Sequence, residues 1–295
     1  MRVRRVFMTG LVVAGVALAG ASPAAAQGKG KGLGKGRGPT PPAAPSSASA
    51  AAPIFGIRQF GAWLDDASLL DAGSASAAVS LGLVRSAGGR QTDFPIVDAG
   101  LGLTPRVQLG MTVPYYQLSF VDGSRAAGLG DVYLAAKVGL IDPAKKTTSG
   151  FGLAVSPLLE ILADPDPTGS RSFHVGLPVS VEWRQPKYRV YGSSGWFSRG
   201  AFFTSGALEL PLTERVVATG VLSHTRALND DPNADAMGMS KARTDLMGGA
   251  AFFATPSMAL YGSIGRTISA QDANAASFML GAGVSMVFAG RTPGR

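Results

Sequence analysis

Few residues of this chain are suited to nucleophilic or acid–base chemistry, because it has only two histidines, His174 and His224, and no cysteine. A hydrolase needs a serine that a nearby histidine can activate. Ser223 directly precedes His224, but adjacent residues of a strand point to opposite faces. Ser180 shares the face of His174 but is six residues away, roughly 20 Å along a strand. We therefore predict no catalytic residue, no metal site and no cofactor.

Charged and polar residues recur at alternate positions within apolar segments, opposite the bulky side chains. We predict that they share one inner face, whose members are Asp98, Asp131, Tyr133, Lys137, Glu160, His174, Glu182, Arg184, Glu209, His224, Arg226, Arg243 and Asp245. Such a face can line a pore that binds or filters small solutes. Alternatively, these charges form a salt-bridged network that fills the interior. The two interpretations are compatible, since a network also shapes the pore that remains.

The segments that carry these residues alternate with period two, as strands do. In residues 131–140 the bulky apolar side chains fall on one face, and small or charged ones fall on the other. Twelve segments follow this pattern: 75–85, 93–103, 106–118, 129–141, 150–162, 173–184, 188–197, 201–211, 215–226, 241–254, 258–268 and 277–288. An apolar outer face with a small, polar inner face is typical of a transmembrane barrel. We predict an all-β fold, a twelve-stranded antiparallel up-and-down transmembrane β-barrel over residues 74–288.

Turn lengths and aromatic positions support this arrangement. Short turns follow the even-numbered strands, whereas longer loops near 86–92, 119–128, 163–172 and 227–240 follow odd-numbered ones, as in outer-membrane barrels. Aromatic residues on the apolar face group near the two strand ends, as two membrane-interface belts would. They are Tyr115, Phe151, Phe173, Trp183, Tyr188, Trp196, Phe202, Phe252, Phe278 and Phe288. Arg266 also falls on the apolar face, near a long loop where its side chain can reach the headgroups.

Residues 1–26 have the pattern of a secretory signal peptide. Three arginines precede an apolar run of about 15 residues, which is shorter than the roughly 20 that a spanning helix needs. We predict cleavage near Ala26 and localisation in the cell outer membrane. The expected partners are outer-membrane lipid and lipopolysaccharide, the barrel-assembly machinery and a small-molecule solute. Residues 54–295 carry 20 basic and 19 acidic residues, so we expect no nucleic-acid partner.

The segments outside the barrel have distinct compositions. Residues 27–53 are rich in Gly, Lys, Pro and Ala and predict a flexible linker. Residues 54–73 fit a strand-like segment or a short amphipathic helix, lying in the periplasm or associated with the lumen. Residues 289–295 form a C-terminal tail. The acidic stretches 164–169 and 229–235 are interpreted as solvated turns, with a Ca²⁺ or Mg²⁺ site bridging lipopolysaccharide as the alternative.

One stretch resembles a known family. Gly128-Leu129-Gly130-Asp131, followed by a strand with a lysine six residues after the aspartate, and the preceding Val113-Pro114-Tyr115 are similar to motifs of the outer-membrane barrels named for the meta-pathway of phenol degradation. The resemblance implies a channel or transporter over about residues 75–288 and the passage of phenol-like compounds. The chain departs from the usual pattern at its end, because seven residues follow the aromatic Phe288.

Together these patterns predict an outer-membrane channel or transporter-like barrel. It would pass or bind small solutes passively, aromatic or hydrophobic ones included. The alternative is a non-conducting structural or adhesive barrel, whose lumen residues 54–73 would plug.

Overall fold

The computed structural model of the protein describes residues 64–141, 150–163, 172–230, 240–272 and 275–288. The predicted signal peptide, linker and C-terminal tail lie outside these residues, as do residues 54–63 and most of the two acidic stretches. None of the described residues belongs to a helix long and apolar enough to cross a membrane.

The described residues form one antiparallel sheet that closes on itself. Its segments are β1 (Ala75–Ser86), β2 (Gly89–Thr104), β3 (Val107–Phe120), β4 (Arg125–Leu129), β5 (Val132–Ile141), β6 (Gly150–Val155), β7 (Leu158–Ile161), β8 (Phe173–Arg184), β9 (Arg189–Phe197), β10 (Ala201–Pro211), β11 (Val216–Ala227), β12 (Ala242–Thr255), β13 (Met258–Ser269) and β14 (Ala276–Phe288). Segments that follow one another in the chain pair with each other, except β4 with β5 and β6 with β7, and β1 pairs with β14. The predicted all-β barrel is therefore confirmed.

Two of the barrel strands are interrupted, so fourteen segments make twelve strands. β4 and β5 both pair with β3, and the break at Gly130 and Asp131 is bridged by the Gly130 amide, which donates to the Pro114 carbonyl at 2.8 Å. β6 and β7 both pair with β8 and are separated by Ser156 and Pro157. Proline has no N–H to donate to a ladder, so a break at Pro157 is expected.

The two faces of the sheet differ as period-two alternation requires. Along β8, exposed Phe173, Val175 and Leu177 alternate with buried His174 and residues of the inner face. Large apolar side chains are exposed around the whole outer surface, whereas every carboxylate of the described strands is buried inside. Because exposed apolar surface of this extent is stable only against lipid, the pattern is that of a membrane barrel.

The connections define two ends of the barrel. The short-turn end holds the connections 105–106, 142–149, 185–188, 212–215 and 256–257, and the long-loop end holds 87–88, 121–124, 162–172, 198–200, 228–241 and 270–275. The loop predicted near 86–92 is wrong, since β1 and β2 stay paired up to Ser86 and Gly89. Gly89 has a φ of 145°, a conformation that L side chains rarely adopt and that permits this tight turn.

Candidate functional site: the lumen and its inner segment

Most of the residues predicted for the inner face do point into the lumen. Eleven are buried or largely buried there: Asp98, Asp131, Tyr133, Lys137, Glu160, His174, Glu182, Arg184, Glu209, Arg243 and Asp245. Lys137 and Glu160 are both completely inaccessible. Charges buried to this degree must be paired or hydrogen-bonded, so the inner wall is organised by its ion pairs.

The prediction that His224 and Arg226 line the lumen is wrong. On β11 the buried residues are Val221 and Ser223, so His224 and Arg226 share the outward face with exposed Leu222. The His224 Nδ1 lies 2.9 Å from the Thr244 hydroxyl. The sequence misassigned them because β11 carries polar residues on both faces towards its long-loop end, where lipid gives way to headgroups and the polarity rule weakens.

The aromatic residues predicted for the membrane interface all lie on the outer face. Nine of the ten are exposed, and Tyr188 is partly covered by Trp183, which it meets edge-on with ring centroids 6.1 Å apart. Phe151, Phe252 and Phe288 lie towards the short-turn end, whereas Phe173, Phe202 and Phe278 lie towards the long-loop end. Their role as anchors in the two interfaces stays a prediction.

A stretch before the barrel occupies the lumen. Residues 64–70, here called the inner segment, are buried at every position, and they form neither helix nor strand. The Leu70 amide donates to the Gln108 side chain at 2.8 Å, close to the short-turn end. Leu64, at the other extremity, packs in a buried cluster with Val84 and Met279, close to the long-loop end. The inner segment therefore runs along the bore rather than across its mouth.

Two adjacent carboxylates of the inner segment bind the wall. The Lys137 ammonium lies 2.9 Å from both Asp65 Oδ1 and Asp66 Oδ1. Asp66 also pairs with Arg189 on β9. In addition, the Ser193 hydroxyl accepts a hydrogen bond from the Asp65 amide at 3.1 Å. β5 and β9 lie on different parts of the wall, so these contacts tie the inner segment to both.

A second group of wall charges continues this network. Arg189 donates to Glu182 at 2.8 Å and to Glu209 at 3.1 Å. Ser68 of the inner segment donates to Glu182 at 2.8 Å and accepts from Arg184 at 3.0 Å. Four carboxylates and three cations are thus joined inside the barrel. Because each remaining charge would be uncompensated if one partner were removed, such networks are sensitive to single substitutions.

The electrostatics of Asp65 reflect this confinement. Burial raises the pKa of Asp65 to about 6, and the neighbouring Asp66 carboxylate acts in the same direction, although Lys137 lowers the pKa. Asp65 precedes the first membrane-spanning strand and sits among lumen groups. A carboxyl group with this pKa changes its protonation state around pH 6.

A separate polar and aromatic cluster lies in the lumen towards the long-loop end. Glu160 accepts hydrogen bonds from the Tyr133 hydroxyl at 2.8 Å and from Arg199 at 2.5 Å. The Arg199 guanidinium stacks over the Phe197 ring at 4.5 Å, and Phe203 packs beside it with ring centroids 5.6 Å apart. We call Tyr133, Glu160, Phe197, Arg199 and Phe203 the aromatic cluster. Its Arg199 Nε and Nη2 atoms are buried and have no hydrogen-bond acceptor in the part of the chain that the structure describes.

Sequence reasoning missed several of these residues. Asp65 and Asp66 belong to a segment without clear periodicity. The one local signal was a pair of adjacent acidic residues beside apolar ones. Arg189 could have been found, because it occupies the inner parity of β9 together with buried Tyr191. Arg199 lies in the loop after β9, where the alternation of a strand does not predict which way a side chain points.

Comparisons with known proteins identify the fold. No family model and no curated protein sequence matches the chain. Among solved structures, the COG4313 outer membrane channel from Pseudomonas putida F1 is similar with a TM-score of 0.58 and 16% identity, over 76% of this chain and 98% of that chain. The NanC porin has a TM-score of 0.51 and 12% identity, over 71% and 98%. This chain therefore shares the barrel fold of outer-membrane channels.

Proposed function

We propose that the protein is an outer-membrane channel through which small solutes pass by diffusion along a hydrated lumen. The observation that carries this proposal is a set of inner-face hydroxyls without a protein partner. Five buried serines have no hydrogen-bond partner among the described residues: Ser80, Ser180, Ser205, Ser223 and Ser263. A buried hydroxyl in a dry core costs free energy, whereas water can satisfy it. Serines on five different strands therefore support water inside the barrel.

The inner segment determines how much of this lumen is open. It is held mainly by ion pairs and hydrogen bonds to Lys137, Arg189 and Gln108. Water can replace contacts of this kind at a lower cost than it can replace a packed apolar core. Because these contacts are the easier ones to replace, we expect the channel to open when this segment is partly released.

The aromatic cluster is the place where we expect solute selection. Phe197 and Phe203 form an apolar surface that is fully enclosed in this structure, and the buried Nε and Nη2 donors of Arg199 lie beside it without an acceptor from the described residues. A small aromatic ring with a hydroxyl or carboxylate substituent matches both features. This assignment agrees with the phenol-like compounds that the sequence resemblance implies.

Single-channel recording in planar bilayers and solute uptake into liposomes test the proposal. We expect discrete conductance, and faster uptake of phenol or benzoate than of a sugar alcohol of similar size. Arg199→Gln should reduce the preference for benzoate, whereas Arg215→Gln in an exposed turn should not. A folded barrel with neither conductance nor uptake would reject the channel function.

The second candidate is a non-conducting structural or adhesive barrel. It is favoured by the complete burial of the inner segment, which leaves every residue from 64 to 70 enclosed by the wall. Deleting residues 27–72 distinguishes the two. Conductance that appears only after this deletion supports a permanently plugged barrel, and conductance of the full chain supports the channel.

A further inference from the structure

The charged residues on the outer face of the barrel differ in sign and position from those inside. All acidic residues within the described strands are buried in the lumen: Asp93, Asp98, Glu160, Glu182, Glu209 and Asp245. The strand arginines that point outward are Arg85, Arg90, Arg125, Arg226 and Arg266, and all are exposed. Each of them lies towards the long-loop end of its strand. The outer face is therefore purely cationic at one end.

Three of these arginines lie in one row across neighbouring strands, two of them directly opposite each other and the third one strand further on. Arg85 on β1 is directly opposite Arg90 on β2, Arg90 is opposite Ser119 on β3, and Ser119 is opposite Arg125 on β4. We call Arg85, Arg90 and Arg125 the arginine row. On the other side of Arg85 in register is Phe278 on β14. Neighbouring strands are about 4.8 Å apart, so the arginine row spans about 14 Å of the barrel circumference.

The arginine row has no ion-pair partner within the described part of the chain. None of its three guanidinium groups forms an ion pair with a carboxylate of the described residues. Like charges directly opposite each other in a sheet are destabilising. Arg85 and Arg90 are directly opposite each other. An external anion between them would remove the repulsion, and guanidinium groups bind phosphate in a bidentate manner.

We propose that the arginine row binds the phosphate groups of lipopolysaccharide in the outer leaflet. A lipid is favoured over a soluble anion because the row lies on the lipid-facing side, next to Phe278 and exposed Leu101 and Val79 lower on the same strands. The phosphates would meet Arg85, Arg90 and Arg125, while the acyl chains would cover the apolar surface below. Ser119, between the last two arginines, can donate a further hydrogen bond to a phosphate oxygen.

Binding of purified lipopolysaccharide by the detergent-solubilised full chain tests this proposal. We expect Arg85→Gln with Arg90→Gln to weaken binding about tenfold, since each lost charged hydrogen bond removes much of the affinity. In the absence of lipopolysaccharide, the same variant should unfold at an equal or higher temperature than the parent, because the like-charge repulsion is gone. Arg226→Gln, an outward arginine on β11, four strands away from β1, is the matched control and should bind like the parent.

Two comparison lipids identify the ligand. Dephosphorylated lipopolysaccharide and phosphatidylglycerol vesicles should bind the parent at least about tenfold more weakly. Equal binding of phosphatidylglycerol would overturn the proposal in favour of general attraction to anionic lipid. Unchanged lipopolysaccharide binding by the double variant would overturn it outright, and the unfolding temperature shows whether that variant is folded.

Discussion

Lys137 Nζ lies 2.9 Å from Asp65 Oδ1, although 72 positions separate the two residues in the chain. The contact joins a barrel strand to a segment that precedes the barrel, inside an enclosure that leaves Lys137 fully buried. Asp66 reaches the same ammonium at 2.9 Å. This shared cation holds the inner segment in the lumen, so the conductance of the proposed channel should respond to its removal.

Replacing Lys137 by methionine should release the inner segment. The change leaves Asp65 and Asp66 buried without this cation, and removing one partner of a buried ion pair costs about 3–5 kcal/mol. We expect a larger single-channel conductance and a lower unfolding temperature, read from heat-modified electrophoretic mobility. Lys187→Met, in an exposed turn of the same barrel, should change neither. Conductance equal to that of the parent would contradict the role assigned to Lys137.

A reversible lock can be built because the chain has no cysteine. An added Cβ at Gly139 would lie 3.6 Å from Leu69 Cγ, which is within reach of a disulfide between substituted cysteines. In Leu69→Cys with Gly139→Cys, oxidation should fix the inner segment and lower conductance, and reduction should restore it. Each single cysteine variant serves as the control and should not respond to reductant. A conductance insensitive to the locked state would show that the inner segment does not control the bore.

The entry of the inner segment into the lumen depends on Gly102. A Cβ at this position would overlap the Asp71 carbonyl and come within 2.8 Å of the Leu70 carbonyl. Gly102→Ala should therefore displace the segment and raise conductance. Gly248→Ala is the matched control, since its Cβ would meet no atom within 4 Å. If both alanine variants have the same conductance, the close approach at Gly102 does not affect the opening of the lumen.

Acidification should close the channel. The pKa of Asp65 is raised by burial from 3.8 to about 6 in the docked segment, and a released segment regains the ordinary value. The docked form therefore binds the proton more tightly, and docking strengthens as the pH falls from above 6 towards 4. We expect conductance to decrease over this range. Asp65→Asn should remove most of this pH dependence, whereas Asp122→Asn, in a loop at the long-loop end, should retain it.

Most of the barrel could be predicted from local pattern. Alternation in segments such as β8 and β14 distinguishes the two faces, because lipid tolerates apolar side chains and excludes charged ones. This rule correctly assigned Lys137, Glu160 and Glu182 to the interior. It failed for His224 and Arg226, where β11 reaches the headgroup level and both faces admit polar residues.

The sequence by itself determined the strands and their inner and outer faces, because the period of two is a local property of each strand. Only the tertiary structure decided where residues 64–70 lie and which charges meet, since the pairing of Asp65 with Lys137 depends on closing the barrel around a segment with no pattern of its own. The same holds for Arg85, Arg90 and Arg125, which become neighbours only through strand register. Register is set by the whole sheet rather than by any one strand.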